Sequence, residues 1–167
     1  MPGKSRNRSV ASIRRGRAGD LADLVELETQ VFASDRMSRR SLRHFLAARS
    51  ATVLVAEHAG CISGCAVILF RLNSSIARLY SIAVAPQSAG LGLGPALLAA
   101  SEQAAAARGR KTLRLEVHEN NHRAISRYRK AGYRQFGCHA AYYADEGDAL
   151  RFEKELVAHK PRKTRVL

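Results

Sequence analysis

Cysteine is scarce in this chain and badly spaced for structural work. Cys61, Cys65 and Cys138 are odd in number and form no CxxC pair, which excludes a disulfide framework and gives no basis for a zinc site. Cys61 and Cys65 fall four apart in an extended segment, so they are expected on one face as reduced, buried thiols. An acyl-cysteine enzyme would need a paired histidine, and none is evident. No apolar run of about 18 residues is present, so no segment reads as a membrane-spanning helix. Arg14-Arg15 is followed by no apolar stretch and is not an export signal. The expected location is therefore cytoplasmic. Internal repeats and linkers are also missing, and 167 residues suit one domain with its own core.

Acids are outnumbered two to one, 14 against 28 Lys and Arg, for a formal net charge of +14. Residues 1–10 contribute Lys4, Arg6 and Arg8, and residues 158–167 contribute Lys160, Arg162, Lys163 and Arg165. Neither end holds an acid, so the two together carry half of the excess. Both lack apolar periodicity and read as flexible basic tails around a domain spanning 11–157. Such tails could touch RNA weakly and non-specifically through its phosphates, or simply be solvated. No RNP, zinc-finger or helix-turn-helix pattern offers specific readout.

What is present centres on Tyr80–Leu98, YSIAVAPQSAGLGLGPALL. A β-rich run ends at Pro86, glycines follow at 90, 92 and 94, and an Ala/Leu-rich helix begins at once. A helix N-terminus favours an anion, and glycine lets the backbone approach a phosphate. The glycines alone would also suit an ordinary strand-to-helix turn. A P-loop is excluded because no Gly-Lys-Ser/Thr follows. The dinucleotide fingerprint fails too: the spacing is GxGxG, and Gln103 to Ala107 holds no carboxylate.

The pattern V-x-P-x-x-x-G-x-G-x-G-x-x-L-L, on Val84, Pro86, Gly90, Gly92, Gly94, Leu97 and Leu98, resembles the acetyl-coenzyme A motif of the GNAT acetyltransferase superfamily. A second block, LRLEVHENNHRAISRYRKAGY from Leu113 to Tyr133, resembles the strand and helix that follow it there. The likeness is greatest to the bacterial ribosomal-protein alanine N-acetyltransferases and runs from Ser12 to Leu156.

The coarse pattern predicts a single-domain α/β fold. Strands are expected at Ser12–Arg17, Thr52–Glu57, Ile62–Phe70, Ser75–Pro86, Thr112–His118, Arg134–Tyr143 and Ala149–Leu156. Asp20 is expected to cap a first helix and Ser38 or Ser41 a second. A third runs to about Arg108 and stops at Gly109, and a fourth spans Asn121–Ala131. The sheet should be mixed and mostly antiparallel, with helices on both faces; the resemblance implies a splay between its fourth and fifth strands.

In Thr112–His118 the alternation sets Glu116 opposite Leu115, which by itself suits a solvent-face carboxylate paired with an arginine. Tyr128 on the next helix would by itself be a core tyrosine. The resemblance instead implies that Glu116 accepts the proton of the amine and that Tyr128 protonates the departing thiolate. It implies cofactor contacts from Ile82, Ala83, Val84, Gly90, Leu91, Gly92, Leu93, Gly94, Pro95 and Asn121, with an amide of 82–84 facing the oxyanion. Asn121 also reads as an N-cap. Tyr142 and Tyr143 are expected to border the acceptor, and His118, where the family usually has Arg, to be a surface histidine.

Two departures bear on the cofactor. Ala89 stands where a basic or amide side chain is usual, and Pro95 lacks an N–H in the first helical turn. Arg123 or Arg129 is the expected compensation. The implied activity is acetyl transfer from acetyl-CoA to a primary amine without a metal, foremost a protein N-terminus and in that case a ribosomal protein, by a monomer or homodimer. An α-amine titrates near pH ~8 and a lysine near ~10.4, so the former is easier to neutralise. The rivals are a small-molecule acetyltransferase (polyamine, amino acid or antibiotic) and a non-catalytic RNA- or ribosome-associated binding module.

Overall fold

The computed structural model describes residues 11–158, so the two basic tails, apart from Ala158, lie outside the described residues. Seven strands make one sheet: β1 (Ser12–Arg15), β2 (Ala51–His58), β3 (Cys61–Phe70), β4 (Ile76–Val84), β5 (Thr112–His118), β6 (Arg134–His139) and β7 (Ala149–Glu155). Their spatial order is β1-β2-β3-β4-β5-β7-β6, and every neighbouring pair is antiparallel except β4–β5. Four helices join them: α1 (Leu21–Val31), α2 (Arg39–Ala47), α3 (Leu93–Ala107) and α4 (His122–Lys130). This is the mixed, mostly antiparallel α/β architecture expected from the sequence.

The helices divide between the two faces because strand alternation sorts apolar side chains into two cores. Val53, Val55, Cys65 and Val67 pack against Leu24 and Leu27 of α1 and Leu42 of α2. Leu54, Ala56, Ala66 and Ile68 face the other way, toward Leu97 and Leu98 of α3 and Ile125 and Tyr128 of α4. Leu97, Leu42 and Phe152 are fully buried, a burial that contributes about 1.5–3 kcal/mol each.

Helix ends follow their capping residues. The Ser38 hydroxyl accepts from the Ser41 amide at 3.0 Å, and the Asn121 side chain accepts from Ala124 at 3.2 Å. Asp20 differs from expectation. Its carboxylate does not cap α1 but accepts from the Arg17 amide (2.7 Å) and from both terminal nitrogens of Arg14 (2.8 and 2.9 Å), tying β1 to the turn before the helix. The last hairpin is also shorter than expected: β6 ends at His139, leaving Tyr142 and Tyr143 in the loop to β7.

Of three bulges in the sheet, at Ser63, Tyr80 and Phe136, the first two bear on the cysteines and the cleft. On β3, Ala56 pairs with Gly64 but Glu57 with Ile62, so Ser63 is the extra residue and the alternation slips by one. Cys61 is consequently exposed while Cys65 is buried, against the shared face expected for them; Cys138 is exposed as well. On β4, Val67 pairs with Ser81 and Ile68 with Leu79, leaving Tyr80 extra. Ala77 and Leu79 face the α3 core before this bulge, and Ile82 and Val84 face it afterwards.

The Tyr80 bulge coincides with the splay. Pairing of β4 with β5 runs from Ile76–Thr112 to Leu79–Leu115 and stops, although β4 continues to Val84 and β5 to His118. A bulged strand bends away from its neighbour, and a cleft opens between the two.

Candidate active site

The cleft has a volume of about 1050 Å³ and runs from the α3 N-terminus past the parted strands to the β6–β7 loop. Its anionic-ligand end is set by backbone geometry. Gly90 and Gly92 have φ of 81° and 77°, left-handed values that a side chain would strain. Gly92 is the N-cap of α3, and the amides of Gly92, Leu93 and Gly94 have no hydrogen-bond partner among the described residues. Pro95, the third residue of α3, offers no donor, and the first helical bond is Ala96 N–H to Gly92 O at 3.2 Å.

A cation also lies at this turn. A Cβ built on Gly94 would meet Arg127 Nη1 at 2.6 Å, so glycine here makes room for a guanidinium from α4. Arg123 and Arg127, one helical turn apart, both line the cleft and have no acidic partner among the described residues. Arg129 instead lies over the Phe152 ring at 5.9 Å. Arg127, which sequence reasoning passed over, therefore stands where Arg129 was expected. Free amides, left-handed glycines and an unpaired guanidinium fit the pyrophosphate of coenzyme A. Ile82, Val84, Gly90, Gly92, Leu93, Gly94, Pro95 and Asn121 line the cleft. Ala83 points into the α1 core, and Leu91, half exposed, lies outside the lining.

The parted strands supply further donors. Ala85 N–H donates to Ser63 O at 2.8 Å, so alternation turns the Ala83 amide toward β3 and those of Ile82 and Val84 toward the open side. Across the gap, Glu116 Oε2 accepts from Arg78 Nε at 3.0 Å, and Arg78 Nη2 donates onward to the Tyr142 hydroxyl at 2.8 Å. Glu116 Oε1 is 4.0 Å from Arg151 Nε and has no hydrogen-bond partner among the described residues. The arginine pairing suggested by strand alternation is thus real, and it occupies only one carboxylate oxygen. Arg78 was missed because the sequence does not give the register between β4 and β5.

Two tyrosines of α4 and its end share one core, their rings 5.8 Å apart. The Tyr133 hydroxyl donates to Glu102 at 2.9 Å. The Tyr128 hydroxyl has no partner among the described residues, and Tyr128 lines the cleft. Burial pushes the Tyr128 hydroxyl pKa up to about 12, the neighbouring Arg127 opposing it.

The far end of the cleft is built by loops. Tyr143 stacks on His118 at 4.9 Å, and Tyr142 meets Tyr143 edge-on at 5.1 Å. His118 Nδ1 accepts from the Asn120 amide at 3.1 Å, which leaves the ring proton on Nε2, facing Asp145 at 2.8 Å. His118 is thus part of the cleft wall rather than the surface histidine expected. Opposite it, Glu28 of α1 is buried and accepts from the Met37 amide at 2.9 Å; burial raises its carboxyl pKa. Its signal was available, since Glu28 continues the Leu21–Leu24 stripe. Asp35 of the α1–α2 loop accepts from the Ala144 amide at 3.4 Å, bridging the two loops.

Comparison with known proteins agrees with this geometry. Residues 20–133 match the model of the acetyltransferase (GNAT) family. A Bacillus subtilis (strain 168) protein, itself provisionally named a ribosomal protein bS18-alanine N-acetyltransferase, is 29% identical over 144 residues, covering 86% of this chain and 94% of its own. A mycothiol acetyltransferase of Clavibacter sepedonicus is 33% identical over 133 residues, 75% of this chain but only 43% of that protein. The crystal structure of the Escherichia coli ribosomal-protein-S18-alanine N-acetyltransferase shares the fold with a TM-score of 0.81 at 24% identity, over 92% of this chain and 98% of that one.

Proposed function

The chain belongs to the GNAT family of acetyltransferases, and from that premise we propose that it moves an acetyl group from acetyl-CoA to the α-amine of a protein N-terminus, foremost a ribosomal one, in the cytoplasm. The observation that carries this reading is a pair of proton-handling atoms in one cleft with no hydrogen-bond partner among the described residues, Glu116 Oε1, which has only Arg151 at 4.0 Å, and the Tyr128 hydroxyl.

Acetyl-CoA, when bound, supplies an acyl group activated as a thioester. Amides at the α3 N-terminus and the Arg127 guanidinium hold its phosphates. Glu116 Oε1, directly or through a water, takes the proton of the incoming ammonium, while Arg78 fixes the carboxylate by its other oxygen. The amides of Ile82 and Val84 face the position where negative charge grows on the acyl oxygen. Tyr128 keeps its proton at neutral pH and releases it to the leaving sulfur. A hydroxyl lifted to about 12 is a weaker acid than a thiol near ~8.5, so this transfer is uphill and is completed when the tyrosinate recovers the second proton that the nitrogen sheds as the amide forms.

Several features support a peptide acceptor. The bridged loops restrict the groove, the edges of β4 and β5 beyond Leu79 and Leu115 are free for main-chain bonding, and Tyr142 and Tyr143 offer ring faces to the first side chains. The relatives similar to the bS18-alanine N-acetyltransferases point the same way. A small-molecule amine is the second reading, favoured by the similarity to mycothiol acetyltransferases.

The test is turnover on an Ala-initiated peptide followed by mass spectrometry, with coenzyme A binding measured by calorimetry. Glu116→Gln and Tyr128→Phe should each lower kcat by about 10²–10⁴ with cofactor affinity kept. Full turnover in both variants would overturn these roles.

A further inference from the structure

The end of the sheet remote from the cleft collects basic side chains that have no acid to meet. Arg15 closes β1, Arg49 precedes β2, Arg71 follows β3, and Arg108, Arg110 and Lys111 lead into β5. Backbone bonds hold these positions at one edge: Gly16 N–H to Val53 O (2.8 Å), Phe70 N–H to Ser50 O (2.8 Å) and Lys111 N–H to Ser75 O (2.7 Å). None of the six forms an ion pair among the described residues. Glu155 faces Thr112 at the rim without pairing to any of them. Arg108 and Arg110 donate instead to the carbonyls of Arg49 (2.7 Å) and Arg71 (3.2 Å). The Nε of Arg110 is buried with no partner. Burial, and then the like charges of Arg110 and Arg15, lower the Arg108 pKa, the mark of crowded cations.

We infer that this arginine-rich edge is a docking face for RNA, gripping the phosphate backbone. A protein partner would need a packed apolar centre, but Phe70 is only 5% exposed with the Arg108 guanidinium 3.8 Å from its ring centroid, and the exposed Leu72 and Val157 stand on separate strand ends among the cations. A phosphate backbone needs only cations. With no ring free to stack on bases, binding is independent of sequence. The chain leaves the sheet at Leu156, whose amide donates to Lys111 O at 2.8 Å, and Lys160, Arg162, Lys163 and Arg165 follow in sequence. The choice of RNA over DNA rests on the ribosomal acceptor proposed above. The cleft lies at the opposite strand ends, so RNA here leaves the acceptor groove open.

The test uses the full chain and a fluorescent, unstructured RNA of about 20 nucleotides, followed by anisotropy across a salt titration. The triple variant Arg15→Gln/Arg49→Gln/Arg71→Gln changes exposed side chains only. It should weaken RNA binding about tenfold or more and flatten the slope of log K against log salt by about 2, near 0.7 per lost phosphate contact. A tail triple of equal charge, Arg162→Gln/Lys163→Gln/Arg165→Gln, should lose less. Coenzyme A affinity in both variants should match the parent protein, which also reports that they fold. Equal loss in the two triples, unchanged affinity in the first, tighter binding of a matched DNA, or equal competition by polyglutamate would each overturn the RNA face. If the parent protein acetylates no peptide, the proposed activity fails separately from the arginine result.

Discussion

At the scale of single residues, the site is distinguished by what its polar atoms leave undone. Tyr128 and Tyr133 sit on the same core; the hydrogen bond of Tyr133 to Glu102 is what separates them. Glu116 and Tyr128 were legible as candidates because they fall within a motif. Arg78 and the His118–Asp145 link were not, because each depends on a neighbour far away in sequence. Arg127 is the most consequential of the residues missed. Its guanidinium lies against Gly94 at the α3 N-terminus, and in the proposed function it takes the place of the side chain that Ala89 lacks. Arg127→Ala should therefore weaken coenzyme A binding by about tenfold or more, since a hydrogen bond to a charged group contributes about 1.5–3 kcal/mol. Arg129→Ala, which removes a cation lying over Phe152, should leave the affinity unchanged. Calorimetry on the two variants checks this, and equal losses would contradict the placement.

At the scale of elements, the sequence predicted every strand and helix, with ends displaced by a few residues. Capping and turn chemistry explain the agreement: Ser38, Asn121, Gly109 and Gly132 stop or start helices for local reasons. The Ser63 and Tyr80 bulges were not legible, because an extra residue on one strand is defined only by its partner's register. Their effects are large. The Tyr80 bulge parts β4 from β5 and opens the cleft, and the Ser63 bulge separates Cys61 from Cys65. The second effect is directly measurable. In the native protein Cys61 should react readily with a thiol reagent, and Cys138, exposed but with its pKa raised by desolvation and by Asp148 and Glu119, more slowly. Cys65, buried and with its pKa pushed up to about 12 by desolvation and by Glu28, should react only on unfolding. Peptide mapping after a short alkylation would show this, and rapid labelling of Cys65 would contradict the register.

At the scale of the whole molecule, charge and opening are arranged at opposite ends of one sheet. Parted strands, free amides and loops line one end, with Arg123 and Arg127 beside them, and six cations without an ion pair among the described residues crowd the other. Composition gave the size of the positive charge but not this separation, which arises only when distant strand ends meet. The central claim is that the cleft acetylates a protein N-terminus. An α-amine is half neutral near pH ~8 and a lysine only near ~10.4, so one carboxylate has less to do for the first than for the second. The most direct measurement is kcat/KM at pH 7.5, as a chosen working pH near that ~8 value, for an Ala-initiated peptide with a free N-terminus, an N-blocked lysine peptide and a polyamine. The expected result is a preference for the free N-terminus of about tenfold or more over both others. A tenfold preference for the polyamine or for the blocked lysine peptide would contradict the account.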